Sequence, residues 1–237
     1  MSLMPILLAL DASSSACSVA LSIQRGADEP RLISRFAMTP REHTRRLLPM
    51  VDEVLAEAGV TPGELDAVAY GRGPGSFTGL RIAAGAAQGL AYGLECPLLG
   101  VSTLEALALA AHRRHGVEYV ATALDARMSE IYAAAWRCRD GNVEALLGEA
   151  VIAPQRLRLP AVAGPDGWYG IGSGWTLWES MPVEVQAAVS QRDSDTEPAA
   201  EEMVLLAARQ YTAGERTAPH EAQPIYLRDQ VAWQKGG

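Results

Sequence analysis

Two aspartates stand where a carboxylate is most easily put to chemical use. Asp11 ends the apolar run Ile6-Leu7-Leu8-Ala9-Leu10 and is followed by Ser13, Ser14 and Ser15. A carboxylate at a strand end, beside a turn rich in hydroxyls and amides, can hold a metal-bound phosphate. The same residues can equally close a hairpin as an Asx-type turn. Asp125 repeats the pattern, because Ala9-Leu10-Asp11-Ala12 recurs 114 residues on as Ala123-Leu124-Asp125-Ala126. The flanks recur too. Tyr119–Leu124 precedes, Arg127-Met128-Ser129 makes the turn, and Ile131–Trp136 is a second apolar run. Each copy reads as strand, tight turn, strand, with the aspartate where the first strand ends. Neither turn has the glycines that let a backbone approach a phosphate. Asp11, Ser13, Ser14 and Asp125 are therefore expected to form at most a degenerate nucleotide site. Gly172, in Gly170-Ile-Gly172-Ser-Gly174, faces an adenosine or simply turns the chain before Trp175.

The densest motif is Gly71-Arg-Gly73-Pro-Gly75-Ser-Phe-Thr-Gly79-Leu-Arg81. It fails the dinucleotide fingerprint, since Ser76 stands where the third glycine belongs. It fails the nucleophile elbow, since Gly75 directly precedes Ser76. It reads as a flexible loop feeding a capped helix. The four histidines offer little catalysis: His43 has leucine, Leu47, where an i, i+4 metal pair needs a second histidine. His112 and His115 sit with Arg113 and Arg114 at a helix end, and His220 precedes the tail.

The elements that position these groups follow from start and stop signals. Thr39-Pro40-Arg41-Glu42 reads as a capping box opening a helix that carries Leu47, Met50, Val51, Val54 and Leu55 and stops at Gly59, with Pro49 as an interior kink. Thr61-Pro-Gly-Glu64 and Ser102-Thr-Leu-Glu105 are further boxes, the second heading a helix to about His115. Residues 67–70 read as a short strand, 76–94 as a long helix, 140–182 as irregular or strand-rich, and 198–213 as a last helix. The 76–94 helix draws two stripes of small residues, Gly79/Ala83/Ala87/Ala91 and Gly85/Gly89/Gly93. Each glycine costs about 1 kcal/mol of helix propensity relative to alanine. Its compensation is close packing, inside this chain or against a partner helix.

Composition narrows the classes. The 237 residues are 49% hydrophobic, enough for one large or two smaller domains. No apolar run reaches the roughly 18–20 residues of a membrane span, and the opening segment does not read as a signal peptide. Cys17, Cys96 and Cys138 are odd in number and never paired as CxxC, which suggests buried thiols in a reducing cytoplasm. The net charge is −8, which opposes tight nucleic-acid binding by the chain alone. The basic residues are 19 Arg and a single Lys, Lys235, so a P-loop lysine is missing.

Pro74-Gly-Ser-Phe-Thr-Gly-Leu-Arg-Ile82, Glu42-His-Thr-Arg-Arg-Leu-Leu-Pro49, Leu10-Asp-Ala-Ser13, Asp125-Ala-Arg-Met-Ser-Glu-Ile-Tyr132 and Pro224-Ile-Tyr-Leu-Arg228 together resemble the bacterial TsaB (YeaZ) family, strongly over residues 5–135 and only loosely over 140–215. The resemblance implies an α/β chain of two duplicated lobes of the actin-like ATPase/sugar-kinase, ribonuclease-H-like type. The first lobe would span 1–103, completed by 218–237, and the second, degenerate lobe 104–217. It implies a cytoplasmic, non-catalytic subunit needed for threonylcarbamoyl transfer to adenosine next to the tRNA anticodon. The chain would heterodimerise with the catalytic paralogue TsaD, join the ATPase TsaE within the complex, self-associate as a homodimer when alone, and meet tRNA only through the complex. No cofactor would be required, with weak ATP or ADP binding confined to the complex. The family's interface helices match 41–58 and 76–93, which points to Arg46, Leu47, Met50, Val54, Phe77, Arg81, Ile82, Gly85, Gln88 and Gly89 as partner residues. The competing classes are a small-molecule kinase-like enzyme and a metallopeptidase of the glycoprotease type.

Overall fold

The computed structural model describes residues 5–24, 30–162 and 167–228. Strands β1 (Ile6–Asp11) and β2 (Ala16–Ile23) form an antiparallel hairpin, and β3 (Arg31–Met38) adds antiparallel to β2. Strands β4 (Ala67–Gly73) and β5 (Leu98–Ser102) add in parallel on the other side, giving the order β3-β2-β1-β4-β5. The second sheet repeats this plan with β6 (Tyr119–Arg127), β7 (Glu130–Arg139), β8 (Asn142–Ile152), β9 (Trp168–Ile171) and β10 (Val189–Asp193), in the order β8-β7-β6-β9-β10. Its first three strands are again antiparallel and its last two parallel. The repeated Ala-Leu-Asp-Ala string thus marks a duplicated lobe of ribonuclease-H-like type, with Asp11 the last residue of β1 while Asp125, expected to end its strand, lies two residues before the end of β6.

Every residue of β2 is buried, as a strand covered on both faces requires. On one face lie α1 (His43–Ala58) and α2 (Phe77–Gly93), whose Leu47, Met50, Val51, Val54, Ala84, Ala87 and Ala91 meet Leu8, Leu10, Val19, Leu21 and Val68. On the other face lies α5 (Ala200–Thr212), through Met203, Val204 and Ala207. The helix after the first sheet, α3 (Thr103–His115), instead covers the second sheet with Leu104, Leu107, Ala108 and Ala111. Against the expected bounds of 1–103 and 104–217, α3 packs on the sheet of its own lobe and also reaches the first sheet through Ala106 and Leu109, whereas α5 leaves the second lobe to cover the first sheet. Thr103, Leu104 and all six residues from Ala106 to Ala111 are buried, because α3 also touches α5. The far face of the second sheet is closed by Trp168, Trp175, Met181 and Val185, the last on α4 (Val183–Ala188).

Helix signals held with one correction. Ser102 Oγ accepts from Glu105 N at 3.1 Å, and Glu64 Oε2 accepts from both the amide and the hydroxyl of Thr61, each at 2.8 Å, over a three-residue 3-10 turn. The box at Thr39–Glu42 does not form. Arg41 takes a left-handed φ of 70°, Glu42 N donates to Thr39 O at 3.1 Å, and the helix starts only at His43. It then runs through Pro49 to Ala58 and ends on left-handed Gly59. The 140–182 stretch holds an eleven-residue strand, β8. Residues 217–228 lie along the first lobe: Thr217 bridges Leu98, Gln88 Nε2 donates to Pro219 O (3.0 Å) and Ala222 O (2.8 Å), and Ile225 N donates to Arg72 O (2.7 Å). Residues 229–237, Lys235 among them, lie outside the described residues.

Candidate functional site

The Asp11 turn is built inward. Asp11 is fully buried, and its carboxylate accepts from Ser13 N (3.3 Å) and Ser13 Oγ (3.0 Å). Burial pushes its pKa up to about 7, because a low-dielectric setting penalises the charged form. Ser13 is 2% exposed. Ser14 turns its hydroxyl to Ala16 N at 3.1 Å and its carbonyl to His43 Nε2 at 3.1 Å.

The glycine-rich motif explains this closure. Ser76 N donates to Ser13 O at 2.6 Å. A Cβ at Gly71 would sit 2.1 Å from Asp11 Oδ1, at Gly75 2.4 Å from Ser13 O, and at Gly79 1.8 Å from Ala12 O. These glycines bring a backbone close, and what approaches is the chain's own β1–β2 turn rather than a phosphate. The loop is clamped, a correction to the flexible segment that composition suggested. Its helix is capped as expected, with Ser76 Oγ accepting from Gly79 N at 3.3 Å.

The second turn spends its polar groups in the same way. Asp125 accepts from Arg127 N (2.8 Å) and Arg127 Nη1 (3.2 Å), and its own amide donates to Ser173 Oγ at 3.1 Å. Arg127, Met128 and Ser129 are all left-handed, with φ of 63°, 54° and 57°. Gly172, at φ 104°, has Ala123 O 2.4 Å and Leu107 Cδ1 3.0 Å from where a Cβ would stand. It makes room for the neighbouring strand, so the plain-turn alternative fits. Asp125 and Gly172 thus meet through Ser173, while Asp11, Ser13 and Ser14 form a separate closed turn. Sequence reasoning missed Glu197, whose carboxyl accepts from Ser14 and interacts with Asp11, and whose pKa burial raises. It comes from the loop after β10, far from Asp11 in sequence and with no local signal.

The α1–α2 face divides the ten expected partner residues. Leu47, Met50 and Val54 are 1%, 3% and 0% exposed. They lie in the first-sheet core and are corrected from partner residues to packing residues: Leu47, Met50, Val51, Val54 and Leu55 recur at helical spacing, and that stripe faces the sheet. Ile82 and Gln88 are half-buried, Gln88 being tied to 217–228. Arg46, Phe77, Arg81, Gly85 and Gly89 are exposed. The two small-residue stripes of α2 part company. Gly79, Ala83, Ala87 and Ala91 are buried, whereas a Cβ at Gly85, Gly89 or Gly93 would meet nothing within 4 Å. Leu48 (49% exposed) and Tyr92 (79%) belong to this outward face and were missed. Leu48 was legible, since it falls just off the core stripe. His43 reaches the Ser14 carbonyl, and Leu47 beside it is buried, so α1 presents no histidine pair.

A duplicated ribonuclease-H-like chain with one buried and one exposed aspartate turn and an outward glycine ridge is a definite class of protein, and the comparisons with known proteins name it. The family model described as TsaD, tRNA N6-adenosine threonylcarbamoyltransferase, matches residues 37–235. The tRNA threonylcarbamoyladenosine biosynthesis protein TsaB of Escherichia coli (strain K12) is 41% identical over 233 residues, 97% of each chain. TsaB of Haemophilus influenzae is 39% identical over 238 residues, 97% of this chain and 96% of that one. The solved YeaZ of Pseudomonas aeruginosa superposes with a TM-score of 0.86 at 44% identity, over 94% of this chain and 100% of that one. The chain belongs to the TsaB (YeaZ) family.

Proposed function

We propose that this chain is a non-catalytic subunit in the making of threonylcarbamoyladenosine next to the anticodon of tRNA. It acts by heterodimerising with a catalytic paralogue of the TsaD kind, with the ATPase TsaE joining the complex. The observation that carries the reading is the ridge Gly85-Gly89-Gly93, exposed from the middle of a long helix to its last residue with open space over each glycine. Each glycine costs about 1 kcal/mol of helix propensity, and no packing inside the chain offsets it. A partner helix laid on the ridge does, because small residues let two backbones approach and dispersion contact rises steeply at short range. Phe77 and Tyr92 on the same helix, and Leu48 on α1, add exposed apolar surface. A partner sharing this fold, as the match to the transferase model suggests, offers two equivalent helices and a four-helix interface. When the paralogue is absent, a second copy covers the same face.

The non-catalytic part of the proposal rests on the closed Asp11 turn, on the self-bonded Asp125–Arg127 pair and on His43 standing one turn from Leu47 rather than from a second histidine. The experiment is sedimentation of the chain alone and with its purified paralogue. A heterodimer that displaces a self-associated form supports the reading. A chain that ignores the paralogue, or that alone hydrolyses ATP in a way abolished by Asp11→Ala, overturns it.

A further inference from the structure

Of the four outer strands of the two sheets, β3 is the one whose edge nothing blunts. A sheet edge carries a row of free amide and carbonyl groups, and proteins protect it by shortening, bulging or covering the strand. The other edge of the first sheet, β5, is covered: Leu98 N donates to Thr217 O at 2.9 Å and Thr217 N to Leu98 O at 3.1 Å. In the second sheet β8 breaks register twice against β7, and β10 has five residues and breaks register against β9. Strand β3 pairs with β2 over eight consecutive residues without a break. Among the described residues no strand or bridge reaches its outer side.

The phase of the hydrogen bonds fixes which groups face outward. Thr39 N donates to Ser15 O at 3.1 Å, one step beyond the Ala16–Met38 pair. Alternation then turns the main-chain groups of Ile33, Arg35 and Ala37 toward β2 and those of Leu32, Ser34, Phe36 and Met38 outward. Arg35 Nη1 donates to the outward Ser34 O at 3.0 Å, which leaves that carbonyl a second lone pair. The side chains of the same four residues share the α5 face of the sheet: Ser34 Oγ donates to Glu201 Oε2 at 2.9 Å, and Leu32 packs on the core beneath α5. Further along, Phe36 is 50% and Met38 56% exposed. Beside them opens a cavity of about 650 Å³ whose lining includes Ser18, Ser34, Phe36, Met38, Arg113 and Glu201.

The edge is complementary to itself. Antiparallel pairing about a twofold axis through Arg35 sets the outward groups of Ser34 against those of Phe36, and of Leu32 against those of Met38, in the second copy. Apolar then meets apolar, with Leu32 opposite Met38 and Ile33 opposite Ala37. Phe36 of each copy falls beside Ser34 of the other, at the mouth of the cavity. Arg35 meets Arg35 on the axis, yet each brings Glu53 at 3.0 Å and Glu57 at 2.5 Å with it, so two guanidinium groups stand among four carboxylates. The neighbouring register, with Ser34 on the axis, sets Arg35 against Ile33 and Arg31 against Ala37 and leaves Met38 uncovered. We propose that β3 pairs with β3 of a second copy about Arg35, joining two five-stranded sheets into one of ten strands. The α2 ridge takes no part, so two chains docked on partners through their ridges join through this edge. Seven residues a side is far below the roughly 20–30 of a standard interface, and the association is weak.

The test oxidises the full chain carrying Arg35→Cys with copper phenanthroline in air and reads the cross-linked dimer on a non-reducing gel. In the proposed register the two copies of position 35 form a non-hydrogen-bonded pair with Cα atoms about 4.5 Å apart, within disulfide reach. Arg31→Cys is the control, since position 31 is exposed and its two copies stand roughly 27 Å apart. Cys17, Cys96 and Cys138 are buried. The expected result is a dimer from Arg35→Cys and none from Arg31→Cys. Adding Phe36→Lys should cut the dimer roughly tenfold or more, since each copy loses an apolar cover, and adding Gly89→Leu should leave it unchanged. No dimer from Arg35→Cys, equal dimer from both positions, or a dimer that survives Phe36→Lys or vanishes with Gly89→Leu overturns the proposal. Sedimentation equilibrium of the Gly89→Leu chain repeats the test with Arg35 intact: its mass should rise with concentration and Phe36→Lys should remove the rise, whereas a constant monomer mass overturns the proposal.

Discussion

Replacing Gly85 and Gly89 together by alanine should make the isolated chain more stable. Both lie inside α2, a Cβ at either meets nothing within 4 Å, and neither needs a left-handed backbone. Each change removes a propensity cost of about 1 kcal/mol, so the pair should gain about 2 kcal/mol. For a chain of this length that is a rise in Tm of roughly 4–8 °C. The assay is urea unfolding followed by circular dichroism at a protein concentration low enough to keep the chain monomeric. Gly89→Leu extends the argument. Leucine also favours a helix, so the monomer should stay folded, while the bulk pushes a partner helix away. Overpacking typically costs about 1–3 kcal/mol, roughly ten- to hundredfold in affinity. Ala87→Leu is the control: Ala87 is 0% exposed, so the same bulk should damage the fold itself. If Gly89→Leu unfolds the monomer as Ala87→Leu does, the ridge is internal packing and the reasoning is wrong.

Gly79→Ala should behave oppositely to the ridge alanines. Its Cβ would stand 1.8 Å from Ala12 O, so the loop must lift off the β1–β2 turn at about 1–3 kcal/mol, read as a lower urea midpoint. Stability should also fall as pH rises from about 4 to about 7. Asp11 has a pKa of about 7 in the fold against about 3.9 for an aspartate in the unfolded chain, so the folded state holds its proton more tightly and deprotonation favours unfolding, by up to about 4 kcal/mol at high pH. Glu105, raised to about 6 by burial, acts in the same sense. Asp11→Asn should flatten much of that pH dependence, and an unchanged profile of urea midpoint against pH would count against a buried, proton-holding Asp11.

Much of the architecture was written locally. The Asp11 and Asp125 repeats announced two hairpins because β1, β2, β6 and β7 are near-continuous apolar runs broken by polar turns. Ser76, Ser102 and Gly59 marked helix ends through capping chemistry that acts within a few residues. What stayed hidden was set by distance. Strand β3 carries Arg31 and Arg35 and an exposed Phe36, so as an edge strand it lacks the apolar run that marks a buried one. The return of α5 to the first sheet leaves no local trace. Spacing showed that α2 bears two small-residue stripes, but not which one faces solvent, since alanine and glycine are equally small in either place. The Thr39 box failed because its sequence signal says nothing of the left-handed backbone at Arg41 that delays the helix. The glycines of the 71–79 motif signalled close approach correctly, and only the structure reveals that the approaching group is Ala12 and Ser13.

The account turns on the outward ridge of α2 as a docking face. Sedimentation velocity of the wild-type chain and of Gly89→Leu, each titrated with the purified TsaD paralogue, tests it most directly. The account predicts a one-to-one complex with the wild-type chain and a folded Gly89→Leu chain whose affinity for the paralogue is roughly ten- to hundredfold weaker. A folded Gly89→Leu chain that binds the paralogue as tightly as wild type would contradict it.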